Sequence, residues 1–306
     1  MCLDSRSRPT ADSAAGRERA TAADSAWLQG DDAMVADWLR GRPAQTRRSY
    51  STAIARFRAT LATPLAAVTL ADLQGYADSL AAAGLAPASQ RRMLASIKSL
   101  LAFAYLGGHV PANAGRAMRL PPVRSRLAER IPSKEDVRTL LAHEPDPRNH
   151  ALIRLLYATG LRLAEACALR WRDLQPRGAE GQVTVWGKGA KERAVLMTAG
   201  TWHEVLTLRP PDADPGDPVF VSRHNRPLSP VQAWRIVKMA AVRAELETAA
   251  LFSPHWLRHA HASHALDHGA PASLVRDGLG HASLLTTSLY THARPDDGSG
   301  RYLPLE

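Results

Sequence analysis

Apolar residues recur at steps of three and four along the first third of the chain, which is the spacing of one face of an α-helix. Glycine and proline separate two of these stretches, since Gly84 ends one and Pro87 opens the next. The stretches with this spacing begin at Met34, Tyr50, Leu70 and Met93. We therefore predict an all-α unit of four helices over residues 30–112.

Two segments that flank this unit lack any such spacing. Residues 1–29 are rich in Ser, Ala, Arg and Asp and hold few large apolar residues, so we predict a flexible leader. Residues 113–130 are rich in proline and arginine, which predicts an extended basic linker between two domains.

The remainder, residues 131–306, combines helical spacing with alternating segments. Ser133 and Asp136 form a helix start close to the capping box. Residues 182–186 and 193–197 read as strands, and the glycine-rich turn between them predicts a β-hairpin. Further helical patterns begin near residues 152, 161, 229, 253, 271 and 284. The predicted fold is mainly α, with a small β-hairpin or sheet in the second domain.

The charge of the chain favours a polyanionic partner. Its 306 residues carry a formal net charge of +10, and the pI is about 10.2. Such an excess favours nucleic acid, although scattered arginines on an ordinary basic protein give the same total. The two cysteines, Cys2 and Cys167, exclude a disulfide framework and fit a reducing cytosol. With no secretory signal or membrane-length apolar run, the sequence predicts a cytoplasmic protein without a membrane partner.

Arg162 and Lys188 are cations in unusual local settings. Arg162 follows a glycine break, which lets its side chain project from a helix start, and Glu165 lies on the same face three residues later. Lys188 stands between two glycines at the tip of the predicted hairpin, where the backbone can approach a ligand closely. A lysine with a lowered pKa could donate a proton there. A structural Arg–Glu pair and a solvated turn lysine are the alternatives.

The stretch from His255 to Tyr290 carries groups that suit chemistry on a phosphodiester. His255 and Arg258 are three residues apart and therefore share a helix face. His281 follows Gly280, and a glycine at that point can end a helix. Tyr290 comes nine residues later, and a tyrosine hydroxyl can act as a nucleophile on phosphorus.

Histidines in the same stretch raise the alternative of a metal site. His255 and His259 have the i,i+4 spacing of half a zinc motif. No glutamate follows His255 as in the His-Glu-x-x-His pattern, and the cysteines are not paired, so no metal is predicted. His261, His264 and His268 are instead predicted to form a solvated or DNA-facing surface.

Four segments, in order, resemble the motifs of the tyrosine recombinases, the phage-integrase family, and especially its Xer-type members. The segments are Leu155–Glu165, Gly187–Arg193, His255–His259 and Leu279–His292. The resemblance covers about residues 31 to 295 and is densest after residue 131. It implies a helical, SAM-like core-binding domain at residues 30–112 and a catalytic domain at residues 131–306, which together form a clamp around DNA.

The resemblance also implies roles for the candidate catalytic residues. Arg162 and Arg258 would hold the scissile phosphate. Tyr290 would attack phosphorus to give a 3′-phosphotyrosine and a free 5′-hydroxyl, with Lys188 protonating the leaving oxygen. His255 would assist removal of the tyrosine proton.

The same resemblance implies the supporting groups and the partners. His281 would hydrogen-bond the phosphate, and Glu165 would support the catalytic arginines. No cofactor is implied, because the covalent link to tyrosine conserves the bond energy without ATP or a metal. The partner would be double-stranded DNA of the nucleoid, held as two duplexes by a tetramer of this chain or of this chain and a second recombinase. Candidate DNA contacts are Arg47, Arg48, Arg91, Arg92, Lys98, Lys191 and Arg193.

The activity expected from these features is site-specific recombination by DNA strand transfer, as in integration, excision or resolution. A type IB topoisomerase shares the arginine, lysine and tyrosine groups, but the Xer-like motifs and the small N-terminal bundle favour a recombinase. A DNA-binding regulator without catalysis is the second alternative. Pure binding would require neither Tyr290 nor Lys188, so their presence favours an enzyme.

Overall fold

The computed structural model describes residues 30–61, 63–123, 127–186, 192–280, 287–288 and 290. The chain divides into two compact units, Met1–Arg124 and Ser125–Glu306. Within the described ranges, no helix is both long enough and apolar enough to cross a membrane.

The first unit is a bundle of α-helices in its described residues. Helix α1 spans residues 30–39, α2 Ala44–Arg58, α3 Leu70–Ala82 and α4 Pro87–Leu106. Thr69 starts α3 through a capping box with Asp72, and Pro87 occupies the first turn of α4. The apolar stripes meet in one core, in which Phe57 and Leu73 are completely buried. The predicted all-α unit is confirmed.

The second unit combines helices with a three-stranded antiparallel sheet. The helices are α5 Lys134–Ala142, α6 Pro147–Thr159, α7 Leu163–Ala168, α8 Ala199–Leu206, α9 Pro230–Arg243, α10 Pro254–Asp267 and α11 Ala272–Leu279. The strands are β1 Leu174–Arg177, β2 Glu180–Trp186 and β3 Glu192–Met197. Residues 287, 288 and 290 are also helical. The expected mainly helical fold with a small sheet is confirmed.

The sheet is larger than the hairpin expected from the sequence. Strands β2 and β3 form that hairpin, with Val183 opposite Val195. Strand β1, which was not predicted, pairs with the other edge of β2 and places Leu174 opposite Val183. Leu174 is the one buried residue of β1, so the strand lacks the apolar alternation by which strands are recognised. The eight-residue helix α8 was also not predicted.

Helices α6 and α10 pack together in the core of the second unit. Leu155 of α6 and Leu257 of α10 are completely buried. Helix α6 ends at Gly160, whose φ of 61° lies in the left-handed region. A Cβ at Gly160 would come within 2.7 Å of both His261 on α10 and Leu279 on α11. Glycine therefore lets the end of α6 approach both helices closely.

The predicted solvated histidine surface is wrong for two of its three members. The Nδ1–H of His261 donates to the carbonyl oxygen of Tyr157 at 2.9 Å. Nδ1 of His264 lies 2.9 Å from the hydroxyl of the same tyrosine, and His264 is buried. Residues three apart on α10 share the side that packs on α6, which explains the burial. His268, near the end of the helix, is exposed.

Gly181 and Trp202 provide a test of the packing between the sheet and α8. A Cβ at Gly181 would lie 2.2 Å from Cε3 of Trp202, a buried residue. Gly181→Ala is expected to lower the free energy of unfolding by about 1–3 kcal/mol, because the added methyl overfills the site. Urea denaturation measures the change. Gly216→Ala is the matched control, since nothing lies within 4 Å of its added Cβ. Equal stability of the two variants would contradict this packing.

Candidate active site

Arg258 is almost completely buried, with 2% of its surface exposed. Its Nη1 donates to the carbonyl oxygen of Gly160 at 2.5 Å, and its Nη2 donates to that of Leu279 at 2.6 Å. These carbonyls lie at the C-terminal ends of α6 and α11, where Gly160 and Gly280 both have left-handed backbones. Helix C-termini carry partial negative charge, so both bonds stabilise the guanidinium.

Several charged groups act on Arg258 and so lie close to it. The pKa of Arg258 is lowered to about 10, chiefly by burial and next by repulsion from the guanidinium of Arg162. The Glu165 carboxylate raises the pKa of Arg258, as does the Tyr290 phenol in its ionised form, whereas the guanidinium of Arg193 lowers it. Arg258 remains charged at neutral pH, and the five residues form one electrostatic cluster.

Glu165 binds two arginines from different parts of the chain. Nη1 of Arg162 donates to Oε1 at 2.9 Å, and the backbone N–H of Arg162 donates to Oε2 at 2.8 Å. Arg193 donates to both oxygens, at 3.1 and 2.7 Å. The Arg162 side chain is 45% exposed, whereas that of Arg193 is 10% exposed. Arg162 is therefore oriented by Glu165 and still open to a ligand.

Arg193 was among the candidate DNA contacts, but its guanidinium is bound within the protein. Besides the two bonds to Glu165, its Nε donates to the carbonyl oxygen of Gly278 at 2.9 Å. With its Nε and both terminal nitrogens bound, Arg193 serves to position Glu165 and the end of α11. The spacing of residues in the sequence does not predict this positioning role, because Arg193 is 28 residues from Glu165 and 85 residues from Gly278.

Tyr290 is buried, and its hydroxyl lies 2.8 Å from Nδ1 of His259. Burial raises the pKa of the Tyr290 phenol, and the nearby charge of Arg258 opposes that rise. The structure thus brings the predicted nucleophile and the predicted phosphate-binding arginine together. The sequence places His259 in half of a metal motif and at the end of the His255–His259 family segment, but neither pattern predicts its pairing with Tyr290.

His255 lies one helical turn before His259, and the two rings meet edge to face with centroids 4.5 Å apart. The residue is exposed at the surface. The surrounding protein nevertheless shields part of the imidazole from water, which lowers the pKa of His255, and the guanidinium groups of Arg258 and Arg162 lower it further. His255 is therefore mainly neutral at neutral pH and able to accept a proton.

Three predicted site residues, Lys188, Lys191 and His281, lie outside the described residues. Within the described ranges, no group of three or more His, Cys, Asp or Glu side chains is arranged to hold a metal ion.

Two of the candidate DNA contacts lie together on the first unit. Arg48 of α2 and Arg92 of α4 line one groove, and Arg56 joins them there. The other polar residues that line this groove are Gln45, Ser49, Thr52, Ser89 and Ser96. Arg47 lies beside Arg48 on the adjoining surface. Guanidinium and hydroxyl groups in one groove are the donors that phosphate oxygens accept.

Arg91 and Lys98 contact the chain segment that follows α4. Arg91 donates to the carbonyl oxygen of Pro121 at 2.9 Å. Lys98 donates to the carbonyl oxygen of Met118 and, at 3.4 Å, to that of Arg116. Both cations therefore hold this segment against α4, a contact that the sequence prediction did not include.

Family models match most of the chain. The model of the phage integrase family matches residues 131–296. That region contains the electrostatic cluster around Arg258, namely Arg162, Glu165, Arg193, Arg258 and Tyr290. The chain belongs to the phage integrase family. The model of the phage integrase N-terminal SAM-like domain matches residues 24–108.

Relatives among known proteins are tyrosine recombinases. Tyrosine recombinase XerD of Vibrio vulnificus (strain YJ016) is 38% identical over 241 residues, which cover 74% of this chain and 76% of the relative. Tyrosine recombinase XerC of Xanthomonas campestris pv. campestris (strain B100) is 35% identical over 229 residues, which cover 72% and 69%. The predicted resemblance to Xer-type tyrosine recombinases is confirmed.

Solved structures share the fold at lower identity. A lambda integrase dimer bound to a COC′ core site is similar with a TM-score of 0.72 at 18% identity, over 89% of this chain and 96% of that one. XerH recombinase bound to difH substrate gives a TM-score of 0.64 at 22% identity, over 84% and 77%. The two-domain recombinase fold expected from the sequence is confirmed.

The ion pairs of Glu165 are expected to differ in strength. Glu165→Ala leaves the largely buried Arg193 without its carboxylate partner, so a loss of about 3–5 kcal/mol in unfolding free energy is expected. Arg162→Ala removes a half-exposed pair and should cost at most about 1 kcal/mol. Urea denaturation of both variants measures the difference. Comparable losses would contradict the different burial of the two arginines.

The Glu165 carboxylate is expected to make stability depend on pH. Burial raises the pKa of Glu165, but hydrogen bonds from Arg193 and Arg162 outweigh it, so the pKa lies below its ordinary value of 4.5. A depressed pKa stabilises the folded state above the unfolded pKa, and this contribution is lost as pH falls through the folded value. The stability gap between wild type and Glu165→Gln should therefore be largest near neutral pH and shrink below about pH 4.5. Denaturation curves with a gap independent of pH would disprove this linkage.

Proposed function

We propose that this protein is a tyrosine-type site-specific DNA recombinase, which cleaves and rejoins strands through a 3′-phosphotyrosine intermediate. The observation that carries the proposal is the cluster of Tyr290, Arg258 and Arg162. Tyr290 is buried in the field of Arg258, and Arg162 lies close enough to perturb Arg258 while remaining open to a ligand. A phosphodiester bound beside these cations would supply the negative charge that they lack.

The proposed cleavage step follows from the chemistry of these groups. Tyr290 Oη forms a bond to phosphorus while the bond from phosphorus to the 5′ oxygen breaks. Charge that develops on the non-bridging oxygens is neutralised by Arg162 and Arg258 through charge-assisted hydrogen bonds. Lys188 is the proposed proton donor to the 5′ oxygen, and His281 is the proposed hydrogen-bond donor to the phosphate. Attack by the 5′-hydroxyl of a second strand reverses the step and joins the strands.

Double-stranded DNA is the proposed partner of both units. The net charge of +10 and the groove of Arg48, Arg56 and Arg92 support this choice. Among the similar structures, lambda integrase is a dimer on a core site and a tetramer on a Holliday junction. By analogy, this chain acts in the cytoplasm, on the nucleoid, as a tetramer on two duplexes. The tetramer contains this chain alone or together with a second recombinase.

Two other functions use many of the same groups. A type IB topoisomerase would relax DNA with the same cations and tyrosine, but identities of 35–38% to tyrosine recombinases XerC and XerD favour recombination. A regulator that only binds DNA would need no nucleophile. The hydroxyl of Tyr290 lies beside His259 and within the electrostatic influence of Arg258, which favours catalysis over binding alone.

Covalent capture on DNA tests the proposal and identifies the target site. The protein is incubated in EDTA with sheared DNA of its source organism, and adducts that survive detergent are collected and sequenced. Adducts at one recurring sequence are expected, and this sequence then supplies a nicked suicide substrate. Transfer of the captured strand to a second duplex distinguishes recombination from relaxation.

Variants on that substrate identify the residues responsible. Tyr290→Phe is expected to form no adduct because it lacks the nucleophilic oxygen, and Arg162→Ala should form it slower by on the order of 10²–10³-fold. Gly216→Ala, whose added Cβ would meet nothing within 4 Å, is the control and should match wild type. Failure of wild type to form a Tyr290-dependent adduct on DNA that it binds would refute catalysis by this chain.

A further inference from the structure

We infer that His259 is the group that accepts the proton of Tyr290 during cleavage and returns it when the strands are rejoined. This inference rests on the proposed function and deepens it. It moves the proton-accepting role from His255, for which the family resemblance had implied it, to the neighbouring histidine that touches the nucleophile.

The first support is the position of the Tyr290 hydroxyl. Its oxygen lies 2.8 Å from Nδ1 of His259, which is the distance of a normal hydrogen bond. Tyr290 is 4% exposed, so bulk water has little access to the side chain. A proton that leaves Oη therefore needs an acceptor within the protein, and Nδ1 is in place for it.

The second support is the way in which α10 is anchored. His259 directly follows Arg258 in the sequence, and Arg258 is fixed by two backbone carbonyls at the ends of α6 and α11. The bonds that hold the proposed phosphate-binding group therefore also hold the adjacent imidazole. Proton acceptor and phosphate clamp keep a fixed relation to each other, which suits a reaction in which both act at once.

The third support is that the nucleophile is not ionised in advance. Burial raises the pKa of Tyr290, so the phenol keeps its proton at neutral pH. A neutral His259 whose Nε2 carries the ring hydrogen presents the Nδ1 lone pair to that phenol. The ring of His255 packs edge to face on the imidazole of His259, with the ring centroids 4.5 Å apart.

The step balances without any further reactant. A lone pair of Tyr290 Oη forms the bond to phosphorus, and the Oη proton moves to Nδ1 of His259. The bond between phosphorus and the 5′ oxygen breaks, and the 5′ oxygen leaves with the bonding pair and takes a proton from the proposed donor, Lys188. In rejoining, the imidazolium returns its proton to Oη as the phosphotyrosine bond breaks.

Two substitutions separate proton transfer from simple positioning. His259→Asn offers an amide oxygen near the place of Nδ1, so it can accept the hydrogen bond but not the proton. His259→Ala removes both. On the nicked suicide substrate, both variants are expected to form the Tyr290 adduct slower by on the order of 10²–10⁴-fold, with unchanged DNA binding. Added imidazole should accelerate His259→Ala but not His259→Asn. Thermal unfolding by circular dichroism verifies that both variants are folded.

A modified substrate distinguishes the two proton transfers. Replacing the 5′ bridging oxygen by sulfur gives a leaving group that needs no proton, so the defect of Lys188→Ala should largely disappear. The defect of His259→Asn should persist, because the tyrosine still has to lose its proton. Gly216→Ala serves as the control and should cleave both substrates like wild type.

Each result has one interpretation. If wild type cleaves and His259→Asn cleaves equally fast, His259 only positions Tyr290, and the inference is overturned while the proposed recombinase stands. If sulfur restores His259→Asn, the histidine serves the leaving group, and the inference is again overturned. If wild type forms no Tyr290-dependent adduct on DNA that it binds, the proposed function fails and the inference fails with it.

Discussion

The candidate site depends on two hydrogen bonds from one buried guanidinium to the ends of two helices. An unpaired charge as deeply buried as Arg258 would cost several kcal/mol. The carbonyls of Gly160 and Leu279 offset this cost, because each lies at a helix C-terminus with partial negative charge. The two carbonyls can reach α10 because α6 ends in a left-handed glycine, and α11 is followed by another. The points at which α6 and α11 end therefore determine where the guanidinium of Arg258 lies.

A second arginine, Arg193, also donates to a backbone carbonyl at the end of α11. Arg193 donates to the carbonyl of Gly278, and Arg258 donates to the next carbonyl along the chain, that of Leu279. The end of α11 is thus bound by side chains from β3 and α10. Arg193 also binds Glu165, which in turn orients Arg162. Sheet, α7, α10 and α11 are linked through charge-assisted bonds, so a change at Glu165 reaches both the stability of the fold and the orientation of Arg162.

Local spacing predicted those parts of the structure that depend on near neighbours in the chain. The helices of the first unit, the capping box at Ser133 and the β2–β3 hairpin are of this kind. Contacts between distant segments carried no such signal. The pairing of Arg193 with Glu165 spans 28 residues, and that of His259 with Tyr290 spans 31. The burial of His264 likewise depends on where α6 packs, which the sequence of α10 alone does not specify.

The cluster carries more positive than negative charge, and this imbalance bears on function. Arg162, Arg193 and Arg258 surround a single described carboxylate, Glu165, and the repulsion from Arg162 contributes to the lowered pKa of Arg258. A site selected for stability alone would gain from a second carboxylate or from fewer arginines. An anion bound beside Arg162 would relieve the repulsion, and in the proposed cleavage step a phosphodiester would become more negative at its non-bridging oxygens as Tyr290 attacks. In that proposed step the repulsion among the arginines would be relieved most fully in the transition state, which is the condition for catalysis rather than for binding alone.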